Sequence, residues 1–160
     1  MTNFSHLDPS GKPLMVDIHE KKPTLRTATA RSIVVLPKEV LASMENGNFQ
    51  TKKGSVFQTA IIAGIMAAKK TGELIPLCHP LGLETCDIDM ELNSEHELVI
   101  NCHTAIEAKT GVEMEALVGA SVAALTVYDM CKALSHDILI KETKLMKKTG
   151  GKNNFNRNQQ

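Results

Sequence analysis

The sequence predicts an α+β fold, one antiparallel sheet with helices packed on one face. Three observations point there. Segments 84–93 and 97–107 alternate apolar and polar residues with a period of two, as half-buried strands do. Segment 113–134 is apolar or small almost all round over a helical length. The chain order is strand, helices, two strands, helix, strand, which is the split βαβ, ferredoxin-like arrangement.

Each element has its own justification. Residues 1–13 are polar and carry Pro9, Gly11 and Pro13, so they read as a flexible N-terminal arm. Residues 24–36 (TLRTATARSIVVL) are rich in β-branched side chains and read as a strand. Pro37 opens a short helix to about Glu45, because its missing N–H is no loss at a first helical position. Asn46-Gly47-Asn48 ends it. A second helix is expected from Ser55, a candidate N-cap, to about Thr71. Phe57, Ile61, Gly64, Ile65 and Ala68 share one of its faces.

The Pro-flanked loop IPLCHP at 75–80 follows. In the next strand Cys86, Ile88, Met90 and Leu92 face one way, and Asp87, Asp89 and Glu91 the other. A turn at 93–96 leads into a strand with Leu98, Ile100, Cys102 and Ile106 inward. On the long helix, Ala116, Gly119, Ala120, Ala123 and Ala124 permit close packing on more than one side. Residues 137–146 form the last strand. The tail at 150–160, GGKNNFNRNQQ, is polar and expected to be disordered. A single catalytic domain over 14–149 remains.

Composition narrows the function. Of 160 residues 42% are hydrophobic, with no Trp, one Tyr and four Phe, so the core is aliphatic. The formal net charge is +0, which argues against a broad nucleic-acid face. An anionic ligand must then be met by a local cluster of Lys and Arg. The sequence reading finds no apolar window of roughly 18 residues, and no basic-then-apolar leader, so no membrane partner is expected and the protein reads as cytoplasmic. Cys78, Cys86, Cys102 and Cys131 form no CxxC pair and read as free thiols.

Three segments place charged or imidazole groups inside apolar runs: IPLCHP at 75–80, KTGVEMEAL at 109–117 and VYDMCKA at 127–133. Burying an unpaired charge costs several kcal/mol, on the order of the values in ion-pair studies, so such runs point to a pocket. His79 is held between Cys78 and Pro80, and the residue before a proline is pushed to extended geometry. A loop-capping histidine would look the same. Lys53 precedes Gly54 and Ser55 at a helix start, where the dipole disfavours a protonated lysine and attracts anions. A solvated lysine is the ordinary alternative. Asp129 and Lys132 share a helix face; the alternatives are a surface pair worth under about 1 kcal/mol and a buried functional pair, which the apolar helix favours. Glu113 and Glu115 open that helix and complement its dipole, with or without a role in binding.

Helix geometry adds a constraint. Glu115 and Lys132 are 17 positions apart in the sequence, or ~25 Å on a continuous helix. One chain cannot bring both to one small pocket, so a homodimer at least is expected, with the pocket at its interface. The Gly-Lys segments KKG at 52–54 and KKTGGK at 147–152 suggest phosphate contacts, though neither fits a P-loop. Cys78-His79 and Cys102-His103 are Cys-His pairs, but adjacent residues of an extended chain point to opposite sides. No metal site is expected from them.

Together these segments resemble the cyclic pyranopterin monophosphate synthases, the molybdenum cofactor biosynthesis protein C family. MVDI at 15–18, LRTATARS at 25–32, AAKKTGELIPLCHPL at 67–81, KTGVEMEAL, ASVAALT at 120–126, YDMCKA and the GGK ending carry the resemblance. It implies a phosphorus–oxygen lyase that converts 3′,8-cyclo-7,8-dihydroguanosine 5′-triphosphate to cyclic pyranopterin monophosphate and releases diphosphate. It also implies a dimer-built hexamer with the active site between subunits. The family's catalytic residues match Asp129, Lys132 and Lys53. Its substrate-binding residues match Leu77, Cys78, His79, Glu113, Met114, Glu115, Arg26 and Lys148. No cofactor is required, and Mg2+ is compatible with the triphosphate. Rival readings are a nucleotide-binding regulator of the same fold and another phosphoryl-transfer enzyme. The latter would want an acidic magnesium cluster that the sequence does not display.

Overall fold

The β-branched run becomes β1 (Thr24–Val35) in the computed structural model, which describes residues 6–45, 48–51 and 54–159. Then follow α1 (Lys38–Leu41), β2 (Met44–Glu45), β3 (Asn48–Thr51), β4 (Gly54–Ser55), α2 (Val56–Ala68) and α3 (Thr71–Leu74). The second half holds β5 (Thr85–Leu92), β6 (Glu97–Ala108), α4 (Glu113–Cys131), β7 (Leu139–Thr149) and β8 (Phe155–Asn156). The main sheet runs β5-β6-β1-β7-β8 with every pair antiparallel. This is the α+β, ferredoxin-like architecture, with α2 and α4 packed on the sheet. A small sheet, β2-β3-β4, is inserted between β1 and α2.

Alternation decides which face is covered. Ala28, Ala30 and Val34 of β1 and Leu98, Ile100, Cys102 and Ile106 of β6 are buried in one cluster with Ala116, Ala120, Ala123, Ala124 and Val127 of α4. The polar groups drawn into this layer are paired. Ser32 Oγ lies 2.6 Å from Thr143 Oγ1, and Thr104 Oγ1 donates to the Val112 carbonyl at 3.2 Å. Ser55 caps α2 by accepting from the Gln58 amide. At the β5–β6 turn Asn93 Oδ1 accepts from the amides of Glu95 and Glu97.

The two long helices cross closely and run antiparallel, Gly64 beside Gly119 and Ala123. A Cβ on Gly64 would stand 2.8 Å from the Gly119 carbonyl oxygen and 2.5 Å from Ile88 Cδ1. By length and composition α4 is apolar enough to cross a bilayer, contrary to the sequence expectation of no such window. Its small side chains are instead spent on the sheet and on α2.

Some boundaries differ from the sequence reading. The helix opened by Pro37 ends at Leu41 rather than near Glu45. Only Val40 of that helix is buried, so a longer one would gain little. Met44 instead pairs with Phe49, a buried ring packed edge-on to Phe57 at 5.6 Å. Asn46 and Gly47, read as the helix stop, lie outside the described residues, and Asn48 begins β3. α2 ends at Ala68, and Thr71 starts a separate turn with its hydroxyl donating to the Ala68 carbonyl.

β7 carries irregularities that matter for the site. Its register against β1 shifts between Thr29/Ala30 and between Ile33/Val34, leaving Met146 and Lys141 as extra residues. Each shift exchanges the faces of the strand. Past Met146, Lys148 stands opposite inward-facing Ala28. The polar tail, expected to be loose, folds back. Phe155 and Asn156 pair with Lys148 and Lys147, and Arg157 Nε donates to the Leu145 carbonyl while its guanidinium covers the Phe155 ring. Gly150 makes the turn at φ 84°, and a Cβ there would run into the Leu25 carbonyl.

Candidate functional site

At the N-terminal end of α4 the chain opens a basin of about 450 Å³. Its cations come from five places. Arg26 lies on β1, Lys148 on β7, Lys109 in the β6–α4 connection and Lys152 in the turn after β7; Lys21 and Lys22 come from the segment before β1. Among the described residues Glu113 is the one carboxylate in the lining. Its Oε1 accepts from Lys148 Nζ at 2.8 Å, and its carboxylate lies over Gly111, where a Cβ would collide with it. Arg26 Nε donates to the Ala108 carbonyl at 3.3 Å. Six cations facing one acid in a chain of net charge +0 make a local anion trap. Thr149, Gly151 and Asn153 complete its wall, so the KKTGGK segment does line the site.

The IPLCHP loop follows α3, which contacts α4. A Cβ on Gly72 would come within 2.9 Å of Pro80 Cα, so the loop folds tightly onto the start of α3. Leu77, Cys78 and His79 are half-buried there. Burial raises the Cys78 thiol above its ordinary pKa, and the charge of Glu115 adds to this, which places the two near each other. Glu115 is only 3% exposed. Burial pushes its carboxyl pKa up, its own backbone amide partly offsets that, and the charge of Glu113 raises it further. Met114, between the two acids, is at the surface.

The structure therefore gathers Arg26, Glu113 and Lys148 in one basin, while Glu115, two residues on along α4, and the Cys78 loop do not line it. It does not gather Asp129 and Lys132. These sit at the C-terminal end of α4, about 24 Å (Asp129) and about 28 Å (Lys132) from Glu113 by helix rise. Lys132 Nζ bonds Asp129 Oδ1 at 2.7 Å, and the side chains are 51% and 57% exposed respectively. The buried pair favoured from sequence is a surface pair in the single chain, because the last turn of α4 presents this face to solvent. The hydrogen bond that Lys132 donates to Asp129, with the charge of that carboxylate, raises the Lys132 pKa. Lys132 is thus held protonated, as an acid rather than a ready base. Lys53 lies outside the described residues.

Sequence reasoning missed Lys21 and Lys22, and it marked Lys109 and Lys152 only as parts of the segments KTGVEMEAL and KKTGGK, not as site residues. The signals were present: a Lys-Lys pair before Pro23, and lysines leading KTG and ending GGK. No spacing rule joins them, since the fold brings them together from opposite ends of the chain. All four cysteines are free thiols. Cys102 is buried inward on β6 while His103 faces out to Asp89, at 3.0 Å, so that Cys-His pair is split across the sheet. Among the described residues no three His, Cys, Asp or Glu side chains cluster as metal ligands would.

The fold and the basin define an α+β, ferredoxin-like domain with a cation-lined basin at the N-terminal end of α4. The chain belongs to the MoaC family, whose model matches residues 15–151. It is 52% identical over 149 residues to the cyclic pyranopterin monophosphate synthase of Xanthomonas campestris pv. campestris (strain B100), covering 93% of this chain and 90% of that one. It is 50% identical over 155 residues to the synthase of the same name from Lysinibacillus sphaericus, covering 95% and 96%. Molybdenum cofactor biosynthesis protein 1 of Dictyostelium discoideum is 47% identical over 166 residues, covering 93% of this chain but 26% of that longer protein.

Proposed function

We propose that the protein is a cyclic pyranopterin monophosphate synthase acting in molybdenum cofactor biosynthesis. Its substrate is 3′,8-cyclo-7,8-dihydroguanosine 5′-triphosphate. A substrate hydroxyl oxygen attacks the α-phosphorus, the bond to the bridging β-phosphate oxygen breaks, and diphosphate leaves. The six-cation basin carries this reading, together with the near full-length likeness to synthases of that name. Arg26 and Lys148 take the triphosphate, and Glu113 holds Lys148 in place until the polyanion displaces it. Glu115 and His79 hydrogen-bond the base or ribose, with Leu77, Cys78 and Met114 forming the wall.

Asp129, Lys132 and Lys53 supply the proton transfers that ring opening and cyclisation need. Lys132 gives up a proton while Asp129 holds it. A complete site takes the basin end of α4 from one copy and the Asp129–Lys132 end from another, in a dimer-built hexamer. Exposed Ile62 and Met66 on α2 and Leu125 on α4 support such an apolar contact between copies. Mg2+ arrives with the triphosphate and needs no protein cage. The protein acts in the cytoplasm without membrane or nucleic-acid partners.

The test is to incubate the pure protein with the cyclised GTP intermediate and follow diphosphate and a cyclic-phosphate pterin. Appearance of both in equal amounts is the expected result. Tight binding without turnover would select a regulatory module, and phosphate release from GTP or ATP alone a different hydrolase.

A further inference from the structure

The segment before β1 supplies two of the basin's six cations, yet little holds it. Residues 15–23 form no helix or strand. Their turn is local: His19 N donates to Asp17 Oδ1 at 2.8 Å, and Lys21 N to the Ile18 carbonyl at 3.1 Å. Of their side chains only Val16 and Ile18 are half-buried. Among the described residues one hydrogen bond ties this stretch to the rest of the domain. Lys109 Nζ donates to the His19 carbonyl at 2.9 Å, across 90 positions of sequence.

We infer that Lys109 is a positioning residue for polyanion binding: by clasping the His19 carbonyl it holds Lys21 and Lys22 over the basin. This rests on reading the basin as the triphosphate site. A lysine suits the task because its ammonium has three donors on a flexible stem. One donor meets the carbonyl, and the charge on the acceptor side is only a dipole, so Lys109 keeps its full positive charge in the basin. Without the clasp, the nearest hydrogen-bonded tether of Lys21 and Lys22 to the body, among the described residues, is Thr24 at the start of β1. Their ammonium groups then spread through solvent, where charge pairs separated by more than a Debye length of about 10 Å are screened. The basin would keep Arg26, Lys148 and Lys152 and lose the opposing wall.

The probe is inorganic tripolyphosphate, titrated calorimetrically into the intact protein at low salt, so the result does not depend on turnover. Lys109→Met is expected to weaken binding about tenfold, the size of one charge-assisted hydrogen bond. Lys109→Arg, which can still donate to the carbonyl, is expected to restore it to within about threefold. The deciding arm is a cycle with Lys21→Ala/Lys22→Ala. In that background Lys109→Met should weaken binding by less than about threefold, because the residues it positions are already gone and only the screened attraction of its own charge is lost. A full, additive tenfold loss there would make Lys109 a direct phosphate ligand and overturn the proposal, as would no loss in the single variant. Turnover of the cyclised GTP intermediate by the unmodified protein is measured separately. Its absence would count against the activity and leave the clasp standing.

Discussion

A site shared between copies has a numerical consequence. Glu113 and Lys132 bracket the 19 residues of α4, about 28 Å at 1.5 Å per residue, and Lys148 is bonded to Glu113. A chain carrying Arg26→Ala and Lys148→Ala loses two phosphate-facing cations. At ~1.5–3 kcal/mol for each charged hydrogen bond, kcat/KM should fall by about 10²–10⁴-fold. A Lys132→Ala chain should be inactive for the other reason, loss of the proton donor. Neither works alone. Mixed one to one as randomly assembled oligomers, a site has both intact halves with a chance of one half times one half, so about a quarter of wild-type activity should return. A second mixture sharpens the result. Wild type with a chain bearing all three substitutions should also give about a quarter per chain, whereas sites contained within single chains would give about half. The assay is diphosphate release after co-refolding, with mixing verified by native mass spectrometry. No recovery in verified mixed oligomers would refute the shared site.

Other expectations concern single positions. Lys132→Arg should nearly abolish turnover with the fold intact, since guanidinium keeps the charge but does not release its proton at working pH; a near-normal kcat would reduce Lys132 to an electrostatic anchor. Asp129→Asn should move the alkaline limb of the pH–rate profile to lower pH, because Asp129 is what raises the Lys132 pKa; an unmoved limb would show that another group titrates there. Gly64→Ala should destabilise by about 1–3 kcal/mol through overpacking against the Gly119 carbonyl, lowering Tm by about 2–4 °C per kcal/mol; an unchanged melt would mean the helices separate freely. Glu115→Gln should stabilise at neutral pH, with the gain shrinking as pH falls towards 4.5. The folded carboxyl has its pKa raised by burial, so wild type binds its proton more tightly folded than unfolded and loses stability as pH rises above the unfolded value. Melting curves across pH for both proteins decide it, and a gain independent of pH would point to packing instead.

Much of the fold was legible because its signals are local. Strict alternation in 84–93 and looser alternation in 97–107 mark both strands and their inward faces, since successive side chains of a strand must point oppositely. Ser55 announced α2 through its cap. The helix opened by Pro37 formed but stopped at Leu41, because tertiary pairing of Met44 with Phe49 outweighed local preference, and in the sequence the Asn46-Gly47 pair is a hairpin signal as well as a helix stop.

By itself the sequence determined the sheet-and-helix order, the aliphatic core, the motif residues and the conclusion that the two ends of α4 cannot meet within one chain. These follow from periodicity and from the fixed rise of a helix. Only the tertiary structure decided that Lys148 faces the helix layer, since one extra residue at Met146 exchanges the faces of β7. It also decided that lysines from positions 21 to 152 surround one carboxylate, and that Asp129 and Lys132 lie in the open. Register shifts and convergence across more than a hundred residues depend on how strands pair, which nearest neighbours along the chain do not encode.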